Sequence, residues 1–160
     1  MKTMTYVLAI ALATTFLPAI AVAQSAGSGD VYKNIAKNAQ PGTDLTQSVY
    51  LIAMTVQMMP PEDRQKFIME SAKGIQDTPQ KQRASALSTI AVLLKGMPED
   101  KRQAMMGYVM QSLQVMSAVE KEIVAVQMQK LVGDIRTLPQ DQQTAILPPF
   151  NQVIHAASGQ

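Results

Sequence analysis

The stretch Ser117-Ala-Val-Glu-Lys-Glu-Ile-Val-Ala-Val-Gln-Met-Gln-Lys-Leu-Val-Gly-Asp-Ile-Arg-Thr-Leu138 decides the fold class. Ser117 followed three residues later by Glu120 is a capping box, in which each side chain satisfies the other residue's backbone N–H at a helix start. Val124, Met128, Leu131, Ile135 and Leu138 then recur in steps of four and three, the spacing that puts side chains on one helical face. Upstream, Leu45, Val49, Ile52, Val56 and Met59 repeat that alternation. Thr43 or Asp44 is the cap there, and Gln47 stands three residues after Asp44 as in a second box. Two such stripes each need an apolar partner, so they are expected to meet in one core. Period-two alternation with turn pairs is not sustained anywhere, which argues against sheet. The expected class is all-α, with about six or seven short amphipathic helices. They would form an antiparallel array, either a stack of helical hairpins or a bundle.

The prolines divide the rest into helix-sized pieces. Asp30 caps a short helix over 31–39, and Pro41-Gly42 stops it. Pro60-Pro61 ends the 45–59 stripe and opens a helix with Phe67, Ile68, Ser71, Ala72 and Ile75 inward. Thr78 reads as the next cap and Pro79 as the first helical residue, with Leu87, Ile90, Ala91 and Leu94 inward and Gly96 as a left-handed stop. Met97-Pro98 opens a helix whose stripe is Met106, Val109, Leu113 and Met116. Pro139 opens a short segment to Leu147, and Pro148-Pro149 should kink the chain before a last amphipathic piece carrying Phe150, Val153 and Ile154. Pro61-Glu62-Asp63-Arg64-Gln65 echoes Pro98-Glu99-Asp100-Lys101-Arg102-Gln103, with 138–142 as a weaker third copy. Either helical hairpins repeat, or short helices reuse one start signal. The tetratricopeptide and ankyrin signatures are absent.

The first residues carry an address. Lys2, the apolar run from Tyr6 to Ala13 and the small-x-small triplet Ala21-Val22-Ala23 have the layout of a secretory signal. Pro18 and two threonines interrupt the run, and a membrane anchor needs about 20 uninterrupted apolar residues. Cleavage is expected between Ala23 and Gln24. The division that follows is signal 1–23, Ser/Gly linker 24–29, a single all-α domain over 30–157 and a disordered tail 158–160. The product would be periplasmic or secreted, with no stable membrane anchoring. Cysteine is absent, so neither a disulfide nor a lipid-carrying cysteine is available.

Composition narrows the function classes. The formal charge is +2, and losing Lys2 with the signal leaves +1. Basic side chains are scattered and matched by acids, which gives no footprint for nucleic acid. No strongly cationic amphipathic helix points to a membrane surface. The one histidine, His155, lies near the end, away from any serine–carboxylate pairing. Glu62, Asp63, Glu99 and Asp100 sit in helix first turns, where the dipole already favours acids. Phosphate-cradling loops and zinc-hydrolase motifs are missing. An enzyme is not expected, nor is a cofactor.

Methionine is the remaining signal, at 12 residues. Met54, Met58 and Met59 lie within two turns of one helix, and Met105, Met106 and Met110 within two turns of another. Thioethers suit Cu(I), so these six are candidate soft-metal ligands. They also suit an adaptable apolar groove. The leading expectation is a protein- or peptide-binding module, with self-association open to it and soft-metal binding as the alternative. Leu138-Pro139-Gln140-Asp141-Gln142 resembles, in its Leu and final Gln, the L-T-x-x-Q motif of small periplasmic helical stress chaperones and metal-responsive sensors. It departs from the motif at Pro139. The resemblance covers 138–142 alone and implies a chaperone-like or envelope-stress role.

Overall fold

Proline geometry sets the punctuation of the chain. In the computed structural model, which describes residues 46–159, six helices follow one another: α1 Thr46–Met58, α2 Pro61–Asp77, α3 Gln80–Gly96, α4 Glu99–Gln114, α5 Ala118–Ile135 and α6 Gln140–Ser158. No strand occurs among the described residues. The expected signal, the linker, the 31–39 helix and the caps Thr43 and Asp44 lie outside them.

Pro60, Pro79, Pro98 and Pro139 each cap a helix with φ between −54° and −58° and ψ between 142° and 149°. Proline disfavours the helical region for the residue before it, and at these four junctions the preceding helix or turn ends there. The proline carbonyl then accepts the first bond of the next helix, as from the N–H of Arg64 (3.0 Å), Arg83 (3.1 Å) and Arg102 (3.0 Å). Ser117 does the same for Lys121, and its capping box with Glu120 is complete.

Two sequence-based expectations are corrected by these junctions. Thr78 closes α2 rather than opening α3: its hydroxyl donates to the Gly74 carbonyl at 2.7 Å, and Pro79 is the cap. Gly96 is the last helical residue and not a left-handed stop. Met97 is extended because Pro98 follows it, and its N–H closes the helix on the Leu94 carbonyl. Among the described residues the only positive φ is at Gly159, which ends α6.

The caps Pro60, Pro79, Pro98 and Ser117 stand 19 residues apart. The start signal therefore recurs at every helix from α2 to α5, not at every second one. Its period is one helix and one junction. Packing follows another rule: α1 lies against α4, α2 against α5 and α3 against α6. The most extensive packing, however, joins the sequence neighbours α5 and α6, and further contacts join α3 to α5 and α4 to α6.

The stripes meet in one core. Val49, Val56, Ile68, Ile75, Leu87, Ile90, Val109, Leu113, Val124, Met128, Leu131, Ile135, Ile146, Phe150 and Val153 are all buried within it. Met59 and Leu138 are only partly buried at its edge, and Ser71 is half-buried, its hydroxyl turned back onto the Phe67 carbonyl. In α4 the expected Val109, Leu113 and Met116 are buried in the core, and Met106 packs against it half-buried, beside the fully buried Met105. Pro148 and Pro149 do not divide the chain. α6 runs through them because Ile146, Phe150, Val153 and Ala157 keep one buried face on both sides.

Candidate functional site

Two buried arginine–carboxylate pairs fix how the helices meet. Arg64 Nε donates to Glu120 at 3.0 Å, joining the first turns of α2 and α5. Arg64 is 7% exposed and Glu120 1%. Arg83 grips Asp134 with both Nε (2.6 Å) and Nη2 (3.2 Å), joining the first turn of α3 to the last turn of α5. Burying charge is tolerable only when it is paired and hydrogen-bonded. Both carboxylates meet that condition: Glu120 also accepts from the Ser117 N–H at 2.5 Å. Arg83 also donates to the Thr78 carbonyl at 2.6 Å.

The arginines share a position, four residues after the cap. Arg102 holds the same place in α4 and donates to the Leu94 carbonyl at 3.3 Å; Gln143 holds it in α6 and reaches the Leu138 carbonyl at 2.8 Å. Arg83, Arg102 and Gln143 thus satisfy carbonyls that a helix end or junction leaves open. These groups are structural. Glu62, Asp63, Glu99 and Asp100 are all exposed, as is His155. Arg102 and then Gln103 hydrogen-bond Glu99 and hold its carboxyl below the ordinary value. Lys95 does the same for Asp141, across 3.1 Å between α3 and α6.

Two concavities formed by the described residues carry exposed apolar side chains or methionines. A groove of about 650 Å³ runs between α2 and α5, with Met69, Ala72, Ile123 and Val126 as apolar walls and Glu70, Lys73 and Glu122 among its polar residues. Met69 is 55% exposed and Val126 53%, so two large apolar side chains face solvent side by side along this groove. Val119, one turn before Ile123, is exposed as well. The groove also holds Gln127, which is 3% exposed and whose Oε1 has no hydrogen-bond partner. A buried acceptor left open in this way costs free energy until a donor reaches it.

The second concavity, about 620 Å³, lies between α4 and α6. Met105, Met106 and Met110 line it from α4, opposite Thr144, Ala145, Pro148 and Pro149 of α6. The other methionine group does not share it. Met54 on α1 and Met59 just beyond its end are partly buried, and Met58 is exposed. α1 and α4 do pack together, and Tyr50 meets Tyr108 edge-on with ring centroids 5.1 Å apart. Among the described residues no three His, Cys, Asp or Glu side chains come together as a metal cluster. No described helix is long and apolar enough to cross a membrane.

The groove, its open glutamine and the arginine pairs were all absent from the sequence reading. The exposed Met69 on a helix otherwise patterned for one inward face was the available hint. The described residues form an all-α bundle with a concavity between α2 and α5 and another between α4 and α6. Comparison with family models, with characterised proteins and with solved structures finds no match.

Proposed function

We propose that the chain is exported through a cleaved signal and acts as a non-enzymatic module that binds proteins or peptides. The scaffold on this reading is an antiparallel array of short helices, and the role is chaperone-like or tied to envelope stress. The observation that carries the reading is the α2–α5 groove, whose exposed Met69 and Val126 flank a buried, unpartnered Gln127 acceptor. Apolar walls with a few polar groups are what a binding site needs to combine affinity with orientation. Methionine on its rim lets the surface repack around different partners. A photo-crosslinking residue at position 126 should give an adduct in the envelope, while the same residue at the exposed position 130 should not. Equal labelling at both positions, or none at 126, would refute the assignment. Intact-mass measurement of exported material should find a chain starting at Gln24; a species retaining Met1 in the membrane would remove the export part.

A soft-metal reading has one observation in its favour: the two methionine-bearing helices, α1 and α4, pack against each other. Anaerobic Cu(I) titration separates it from the first. Replacing Met54, Met58, Met105 and Met110 with leucine abolishes binding if their sulfurs are ligands. The same replacement largely preserves peptide binding, because leucine matches methionine in volume.

A further inference from the structure

Susceptibility to oxidation singles out one side chain of the α2–α5 groove. The chain has no cysteine and no tryptophan, so its thioether sulfurs are its most readily oxidised groups. Met97, Met105, Met116 and Met128 are buried, and Met54, Met59, Met106 and Met110 are partly buried. Met58 and Met69 are exposed, at 78% and 55%. A dissolved oxidant therefore reaches these two sulfurs first among the described residues. Met58 closes α1 and lines neither of the two concavities, whereas Met69 is a wall of the groove with Ala72, Ile123 and Val126. Lys73 stands four residues after Met69 on the same face of α2, and it lines the groove as well.

We propose that Met69 is a site of reversible oxidation, and that its sulfoxide converts the α2–α5 groove from an apolar to a polar surface. The oxidant is a peroxide. A sulfur lone pair attacks one peroxide oxygen, and the S–O bond forms as the O–O bond breaks. The second oxygen leaves as hydroxide and takes the proton of the first to become water. Sulfur gives up two electrons and the peroxide takes them. The product puts a strong acceptor where the wall was apolar. Lys73, one turn along, supplies a donor for it. Gln127 gains nothing, because its open Oε1 is itself an acceptor, so the oxidised groove holds two acceptors and less apolar wall. A sulfoxide reductase fed by a dithiol reverses the step: the oxygen leaves as water and the dithiol becomes a disulfide. The peptide-binding reading supplies the consequence of the switch, whereas the modification itself needs no partner.

The test treats the full chain with dilute hydrogen peroxide and follows each methionine by peptide mapping and mass spectrometry. Oxygen should enter Met58 and Met69 about tenfold faster than Met106 or Met110. Nile red, an uncharged apolar dye, then reports the groove. Its fluorescence should fall about twofold when Met58→Leu is oxidised, and return with sulfoxide reductase and dithiothreitol. Met69→Leu keeps the apolar wall but offers no sulfur there, so it should hold its signal under the same treatment. Met69→Gln should show the lowered signal without any oxidant, while circular dichroism keeps the helical spectrum. Entry of oxygen at Met69 no faster than at Met106 overturns the proposal. An undiminished signal with Met69 oxidised, or an equal fall in Met69→Leu, overturns it too. A dye response that follows Met69, with no adduct captured at position 126, upholds the oxidation site and refutes the binding reading.

Discussion

Replacing Arg64 with methionine tests the logic of the buried pairs most directly. The methionine keeps much of the aliphatic stem, so the packing of α2 changes little. What disappears is the cation 3.0 Å from a carboxylate that is 1% exposed. Breaking a buried pair from one side costs about 3–5 kcal/mol, because the remaining charge is left without compensation. Glu120 still accepts from the Ser117 N–H, which places the expected loss at the lower end, about 3 kcal/mol. For a domain of this size that corresponds to a fall in Tm of roughly 10 °C. Urea denaturation followed by far-ultraviolet circular dichroism measures it. Adding Glu120→Gln to Arg64→Met removes the stranded charge yet keeps an acceptor for Ser117, so the pair should recover about half of the loss. If Arg64→Met alone stays within about 1 kcal/mol of wild type, the pair is a surface bridge in energetic terms. If the double variant is no better than the single one, the stranded carboxylate is not the cause.

Leu131→Asp should lose the cooperative melting transition or lower its midpoint by well over 10 °C, since it buries an unpaired charge at a position 1% exposed; an unchanged melting curve would remove α5 from the core. Gly74, Gly107 and Gly133 lie inside helices, and a Cβ added at each meets no atom within 4 Å. Alanine at all three should stabilise the protein by about 2 kcal/mol in chemical denaturation, each site adding roughly 0.5–1 kcal/mol; a net loss would show that one of these open spaces is occupied in solution. Glu99 makes its small contribution to stability above its unfolded-state pKa and loses it as pH falls through its lowered folded value. NMR titration should find that value raised towards normal in Arg102→Ala, and an unmoved titration would show that Arg102 does not hold the carboxylate in solution.

What the sequence disclosed was local. The Ser117–Glu120 box and the Val124-to-Ile135 stripe depend on residues within two or three turns of each other, and both stand as read. At the head of the α4 stripe, Met105 rather than Met106 is the fully buried residue, for a related reason. Both residues are methionine, so the apolar pattern fits either, and α4 turns 100° between them; only its neighbours α1 and α6 choose the face. Pro148-Pro149 reads as a break by propensity, and tertiary burial of Ile146 and Phe150 on either side overrides it. Arg64 and Glu120 each have an adequate local role, as a solvated helix charge and a cap. Nothing within either segment announces a partner 56 residues away. The two concavities are properties of helix pairs, α2 with α5 and α4 with α6, and no single stripe contains them. Of the expected α1 stripe, Leu45 and the side chain of Ile52 lie outside the described residues.

Stacking each helix on the one three places later has a consequence for how the chain reaches its fold. Helical bundles usually fold quickly because neighbours in sequence are neighbours in space. Here the side chains that lock α2, α3 and α5 together are separated by 56 and 51 residues, and those joining α3 to α6 by 46. A chain emerging from its N-terminal end can wind α1, α2 and α3 without meeting any of their principal partners. Arg64 and Arg83 stay hydrated until α5 appears. The core closes only when the last third of the sequence is present, so loop-closure entropy is spent before most of the apolar burial is gained.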